Sequence, residues 1–400
     1  MDVSGIRADF PSLRNNSSVY LDNACQSLKP DQVIRKMVEY YEEYPSCGGR
    51  SVHSMATRVS TEVDETREKM ACFFGSDDPA SFVFTKNATE SLNTVALGLD
   101  LKPGDVVLTS DAEHNSNHVQ WFRVRDRGVK RRFFRTSERG EFDMEAYKEA
   151  VTRDVKAVSV TQTSNVTGVT FPIKEMAEIA HDAGAVISVD GAQAAPHMPV
   201  DVIDLDVDFY SASMHKMLAP TGVGMLYGKE EALRALRPLM YGGGTVGLTT
   251  YESVKTSPAP EKFEAGLLNY SGIIATSAAL DYLSGIGMRE VEAHGTYLQR
   301  LMQKGIDDIP QISVVGPEDP ASRGGILSFN VRGLDPHDVA VMMDSVGQVL
   351  VRSGMHCAHP FFESRKLKGS VRASTYIYND SSDIERFLAT LKKIVGAFSK

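Results

Sequence analysis

Residues 155–192 read VKAVSVTQTSNVTGVTFPIKEMAEIAHDAGAVISVDGA, and this stretch decides the fold class. Its two ends, 155–164 and 185–192, are β-rich apolar runs bounded by turn residues. Between them, residues 172–184 read as a helix closed by Gly184. A strand, a helix and a strand in succession form one unit of an α/β sheet covered on both faces.

The same alternation extends in both directions. Strands are expected at 81–85, 104–110, 129–136, 207–213 and 222–228. The helices ATESLNTVALGL (88–99), 30–45 and 56–74 accompany them, the last with Val59, Val63, Met70 and Phe73 spaced for one face. Residues 240–262 are rich in Gly, Thr, Ser and Pro and read as an irregular surface segment. Beyond about 275, two long helices lead to shorter β-rich runs and a closing helix, the pattern of a second α+β unit. The expected division is an N-terminal segment at 1–22 that packs with the small domain, a large α/β domain at 23–285 and a small α+β domain at 286–400.

Composition narrows the function. The 400 residues carry a net charge of −9, which argues against nucleic acid as a main partner, since phosphate binding needs a basic surface. The basic run VRDRGVKRRFFR (124–135) reads as a solvated strand and turn, or as a local basic pocket. No apolar signal core and no membrane-length apolar stretch is present. The four cysteines, Cys25, Cys47, Cys72 and Cys357, are far apart and form no CxxC pair, so free thiols and a reducing, cytoplasmic compartment are expected.

Several polar residues stand just past strand ends, where open α/β sheets bind ligands. Lys216 in SASMHKMLAPTGVG suits a Schiff base with a carbonyl cofactor, but a strand-end lysine is also an ordinary surface group. Asp190 suits the ring nitrogen of pyridoxal phosphate, with Gln193 near the ring hydroxyl, and it equally suits a helix cap. His114 can stack on a flat ring or be a loop histidine. Thr89 opens a helix whose dipole favours phosphate, and Ser213 and His215 can complete the phosphate cup or bond locally. In RSGMHCAHP (352–360), Cys357 reads as a nucleophile, a buried thiol or, with His356 and His359, a metal ligand. Those three ligands are too close together for zinc and lack a distant fourth, so no metal site is expected.

The order and spacing of these residues resemble the fold-type I pyridoxal-phosphate enzymes of aminotransferase class V, and within them the group II, Suf-type cysteine desulfurases and selenocysteine lyases. The segments carrying the likeness are VYLDNACQSLKP (19–30), GRSVHSMATRVS (49–60), VFTKNATESLNTVA (83–96), EHNSNHVQW (113–121), TSNVTGV (163–169), VDGAQAAPH (189–197), SMHKMLAPTGVGMLYG (213–228), the glycines 242–244, KFEAGLLNYSGIIA (262–275) and VRSGMHCAHP with VRAS (351–360, 371–374). The resemblance implies a large, mostly parallel seven-stranded sheet domain with a smaller α+β C-terminal domain. It implies pyridoxal 5'-phosphate as cofactor, with Lys216 as its Schiff-base lysine and acid/base, Asp190 on the ring nitrogen, Gln193 on the ring oxygen and His114 stacked on the ring. Thr89, Ser213 and His215 would bind phosphate, joined from a second chain by Tyr270 or Ser271. Arg372, Asn165, His53 and Arg352 would face the substrate, Arg372 clamping its carboxylate.

Cys357 matches the persulfide-forming cysteine. The implied reaction converts L-cysteine to L-alanine and passes sulfur to a SufE/SufU-type acceptor, in a homodimer. The alternative is a C–S β-lyase, selenocysteine lyase, aminotransferase or epimerase of the same class. The sequence departs from the family pattern at Ala88, Asn115, Tyr270, Met355 and the GRS at 49–51. Cys25 and Cys47 border the implied site and read as bland small residues, with sulfur relay as the minor reading.

Overall fold

The computed structural model describes residues 1–398. Its centre is a seven-stranded sheet in the order Phe82–Thr85, Gly224–Gly228, Phe209–Ser213, Val186–Asp190, Val155–Thr161, Val106–Ser110, Lys130–Phe134. Gly224–Gly228 runs antiparallel to both neighbours and every other pairing is parallel. The inner strands are buried along almost their whole length, as expected of a parallel sheet with both faces covered.

The opening stretch folds as its pattern dictates. Helix Ile173–Asp182 buries Ile173, Met176, Ala177 and Ala180, one stripe at helical spacing. It ends on Gly184 at φ +78°, with Gly184 N–H donating to His181 O at 2.9 Å and Ala185 N–H to Ala180 O at 2.9 Å. These paired bonds satisfy the last carbonyls and turn the chain into the next strand.

A second sheet of four antiparallel strands follows, in the order Ile312–Val314, Ile326–Val331, Ser370–Ser374, Arg352–Gly354. Helices Met288–Ile306, Pro336–Gly347 and Ser381–Phe398 pack on it around a separate apolar core that includes Leu298, Met302, Phe329, Val339, Phe387 and Leu391. The N-terminus joins this core through Val19 and Leu21, and Val19–Tyr20 pairs in parallel with Val349–Leu350. Arg7 adds an ion pair to Asp383 at 2.7 Å.

Residues 240–262, expected to be irregular, contain a short hairpin of Val246–Thr249 and Val254–Thr256. The turn is closed by Thr250 N–H to Ser253 O at 2.8 Å. The segment has no apolar alternation to announce it because both faces are exposed. Among the described residues no helix is long and apolar enough to cross a membrane.

Candidate active site

Thr89, His114, Asn165, Asp190, Gln193, Ser213, His215, Lys216, Arg352, Cys357 and Arg372 line one cavity of about 200 Å³. The parallel strands bring their carboxyl ends to the same edge, and the loops beyond them carry the polar groups inward. Arg352 and Arg372 arrive from the second sheet, where they are directly paired across adjacent strands. His53 and Tyr270 lie elsewhere in the same chain. His53 caps helix Ser54–Phe73, and Tyr270 donates to Gly48 O at 3.2 Å in a separate recess that Arg50 also lines. Ser271 bonds to Tyr41 at 3.0 Å on the same side of the molecule.

Lys216 sits in a single turn of 3-10 helix that follows strand Phe209–Ser213 directly. Burial pulls its ammonium down to about 8, helped by the Arg372 charge and opposed by Asp190. Asp190 ends the adjacent strand and is 5% exposed, accepting Ala192 N–H at 3.0 Å. Burial raises its proton affinity, while that N–H and Lys216 work against the rise. A buried carboxylate with so few donors calls for a cationic N–H partner.

The side that the family resemblance assigns to phosphate is built on helix Ala88–Gly98. Its cap is Asn87, whose side chain accepts Glu90 N–H at 3.1 Å, and Ala88 N–H donates to Ser213 Oγ at 2.8 Å. Thr89 stands exposed in the first turn, within 2.6 Å of Ser116 Oγ. An eleven-residue helix presents its positive end here. Gly224 allows the close approach, because a Cβ there would come within 2.5 Å of Asn87 Cα.

His114 accepts Ser116 N–H on Nδ1 at 3.1 Å, and burial beside Lys216 and Arg372 lowers it to about 3. It is therefore neutral at ordinary pH, as suits a ring that stacks on another ring. His356 is likewise buried and pushed down to about 3, with Nε2 on Ser370 Oγ at 2.9 Å. His356 is thus held neutral by burial, so it supplies no positive charge to its neighbour Cys357. Among the described residues no group of three His, Cys, Asp or Glu side chains is arranged to hold a metal ion.

Cys357 is exposed and lies in a turn with two successive left-handed residues, His356 at φ +47° and Cys357 at φ +57°. Each such non-glycine conformation costs on the order of 1–3 kcal/mol and persists only where the surroundings impose it. The imposing contacts are Asn115 N–H to Cys357 O at 2.6 Å, Asn165 Nδ2 to His356 O at 2.6 Å and Asn115 Nδ2 with His359 Nδ1 at 3.0 Å. Asn115, noticed in the sequence only as a departure, thus ties the thiol loop to the His114 loop.

Arg372 is 2% exposed, donating to Asn165 O at 3.0 Å and to Asp22 Oδ1 at 3.4 Å. Arg372 Nε, Asn165 Oδ1 and Gln193 Oε1 are buried without a hydrogen-bond partner. Three orphaned polar atoms on one cavity mark a place built for a polar guest. The donor set fits pyridoxal phosphate and an amino acid: a lysine, a buried carboxylate, a helix N-terminus and a free guanidinium face. Ser116 and Glu113 escaped the sequence reading. Ser116 lines the cavity, as does Cys25, which the resemblance had placed at the border of the site, and Glu113, buried and adjacent to His114 in the chain, is raised to about 8 mainly by desolvation. A carboxylate next to His114, which the resemblance stacks on the cofactor ring, was the available signal for Glu113.

The chain is similar over almost its whole length to known proteins. A protein of Synechocystis sp. named "Probable cysteine desulfurase" is 39% identical over 98% of this chain and 96% of its own length. One of the same name from Methanothermobacter thermautotrophicus is 40% identical over 99% of both. Among solved structures, the apo cysteine desulfurase of Thermococcus onnurineus NA1 superposes with a TM-score of 0.94 at 36% identity, covering 99% of this chain and 98% of that one. The Escherichia coli cysteine desulfurase CsdA gives 0.91 at 32% identity, covering 99% of each chain. The fold is that of the type I pyridoxal-phosphate enzymes. The profile of the family "Aminotransferase class-V" matches residues 19–387, and the chain belongs to that family.

Proposed function

We propose that this chain is a pyridoxal-phosphate-dependent cysteine desulfurase that converts L-cysteine to L-alanine and retains the sulfur as a persulfide on Cys357. The observation that carries the reading is the placement of an exposed thiol, in a conformation held by three hydrogen bonds, on the cavity that also contains Lys216, Asp190 and Arg372. Relatives named as desulfurases at 39% and 40% identity support it.

Lys216, Asp190, Gln193, His114, Thr89, Ser213 and His215 would hold the cofactor. Bound pyridoxal phosphate supplies an electron sink for the bond broken at the substrate α-carbon. The chain's residues do the rest. Arg372, which lines the cavity and keeps an unpartnered Nε, would bind the substrate carboxylate, with Asn165 lining the same cavity. Lys216, its proton affinity lowered by burial, moves the α-proton. Cys357 attacks the substrate sulfur as a thiolate, the S–Cβ bond breaks, and its electron pair returns to the carbon that becomes the alanine methyl. Arg352, half-buried and five residues before Cys357 in the chain, lines the same cavity.

A sulfur acceptor of the SufE/SufU type, a cytoplasmic location and a homodimer in which Tyr270 or Ser271 reaches a second chain's phosphate belong to the same reading, as does the division into 1–22, 23–285 and 286–400. His53 would face the substrate side of that second site. The test is incubation of the holoenzyme with L-cysteine, measuring alanine, pyruvate and Cys357 persulfide together. Alanine with persulfide is the expected result. Pyruvate with ammonia and sulfide would replace the reading with a C–S β-lyase.

A further inference from the structure

The cavity contains two thiols. Cys25, from the turn at 22–26, lines it together with Cys357 and Lys216. Both sulfurs lie close enough to Lys216 for each to raise its proton affinity. Arg352 Nη1 donates to Cys25 Sγ at 3.0 Å, so the sulfur has a charged donor of its own. Neither cysteine is in a disulfide.

The turn does not need sulfur for its own stability. Cys25 N–H and Gln26 N–H donate to Asp22 O at 3.1 and 3.3 Å. Ala24 N–H donates to Ser374 Oγ at 2.8 Å, Ala24 O accepts Gln193 Nε2 at 2.8 Å, and Asn23 Nδ2 donates to Ser374 O at 2.6 Å. The backbone is pinned from three directions, and the half-buried side chain at 25 is directed at the cavity and Arg352 rather than into a core. Cys47 differs: its Sγ meets Gly48 O at 3.7 Å, outside the cavity.

We propose that Cys25 is a second station for sulfur, accepting the terminal sulfur of the Cys357 persulfide within the same chain; this rests on the desulfurase reading. The Cys25 thiolate attacks the outer sulfur of the Cys357 persulfide. One S–S bond forms as the other breaks, and the Cys357 sulfur leaves as a thiolate. The proton inventory is unchanged and nothing is oxidised or reduced overall. Arg352 holds the anionic persulfide on Cys25, which frees Cys357 for another turnover and gives the enzyme capacity for two sulfurs before an acceptor arrives.

The experiment loads the holoenzyme with excess L-cysteine without acceptor, traps thiols and persulfides by alkylation, and maps the extra sulfur by peptide mass spectrometry. The expected result is extra sulfur on both the Cys25 and Cys357 peptides, loss of the Cys25 signal in Cys357→Ala, and loss of the doubly loaded species in Cys25→Ser and Cys25→Ala. A fully persulfidated Cys357 beside an unloaded Cys25 overturns the relay. So does a Cys25 that loads in Cys357→Ala, or a Cys25–Cys357 disulfide formed with release of sulfide. Failure to form alanine at all overturns the desulfurase reading itself, and the relay with it.

Discussion

At the scale of single residues, the proposed reaction divides its chemistry among Cys357, Lys216 and Arg372, and each makes a separate prediction. Cys357→Ala removes the nucleophile while leaving the cofactor residues in place. Alanine formation from cysteine should fall roughly 100-fold or more, a barrier increase of about 2.7 kcal/mol. Activity on selenocysteine should survive better, because a selenol leaves without that nucleophile. Equal losses on both substrates, in a steady-state assay, would remove Cys357 from this role. Lys216 reacts with the cofactor aldehyde only as a neutral amine. With its proton affinity lowered to about 8, capture of added pyridoxal phosphate by the apoenzyme should accelerate as pH rises through about 8 and then level off. Stopped-flow absorbance reads this directly, and a rate still climbing near the ordinary lysine range would contradict the burial argument. Arg372→Lys keeps the charge but loses the forked donors, so kcat/KM for cysteine should drop by the roughly 1.5–3 kcal/mol of hydrogen bonding to a charged group. Lys216, Asp190 and Cys357 were legible in the sequence because each follows a readable strand end or a short motif. Cys25 was legible only as a residue bordering the site, because its turn is positioned by Ser374, 350 residues along the chain.

At the scale of elements, the proposed phosphate end depends on how closely strand Gly224–Gly228 passes the start of helix Ala88–Gly98. Gly224→Ala would place a Cβ about 2.5 Å from Asn87 Cα, against backbone that cannot step aside. Overpacking of this kind costs on the order of 1–3 kcal/mol, and here it displaces the Asn87 cap and the Thr89 turn together. Weaker cofactor retention on dialysis, with far-UV circular dichroism unchanged, is the expected signature. The central strands and the helix at 173–182 were readable because burial on both faces writes continuous apolar runs, and burial on one face writes helical spacing. The hairpin Val246–Thr249 with Val254–Thr256 escaped the same logic. It buries neither face within this chain, so no alternation was selected to mark it.

At the scale of the whole molecule, that hairpin is exposed along most of both strands. Leu248, Tyr251 and Val254 on it, with Tyr241 and Leu267 nearby, are exposed large apolar side chains. The segment is tied to the recess of Arg50 and Tyr270 by Gly266 N–H to Gly243 O at 2.7 Å. Exposed apolar side chains gathered on one element are a feature that a partner surface would explain. Of two residues that the family resemblance assigns to the site, Tyr270 lines that recess, and neither Tyr270 nor His53 lines the chain's own cavity. A dimer would account for both facts, since residues remote from one cavity would then serve another. Dilution of the holoenzyme through its dimer–monomer transition, followed by sedimentation, should therefore release pyridoxal phosphate in step with dissociation. Tyr270→Ala should weaken cofactor retention in the dimer, where a purely local role for its bond to Gly48 would leave retention unchanged. A monomer that keeps its cofactor at every concentration would show instead that the cavity formed by one chain is sufficient.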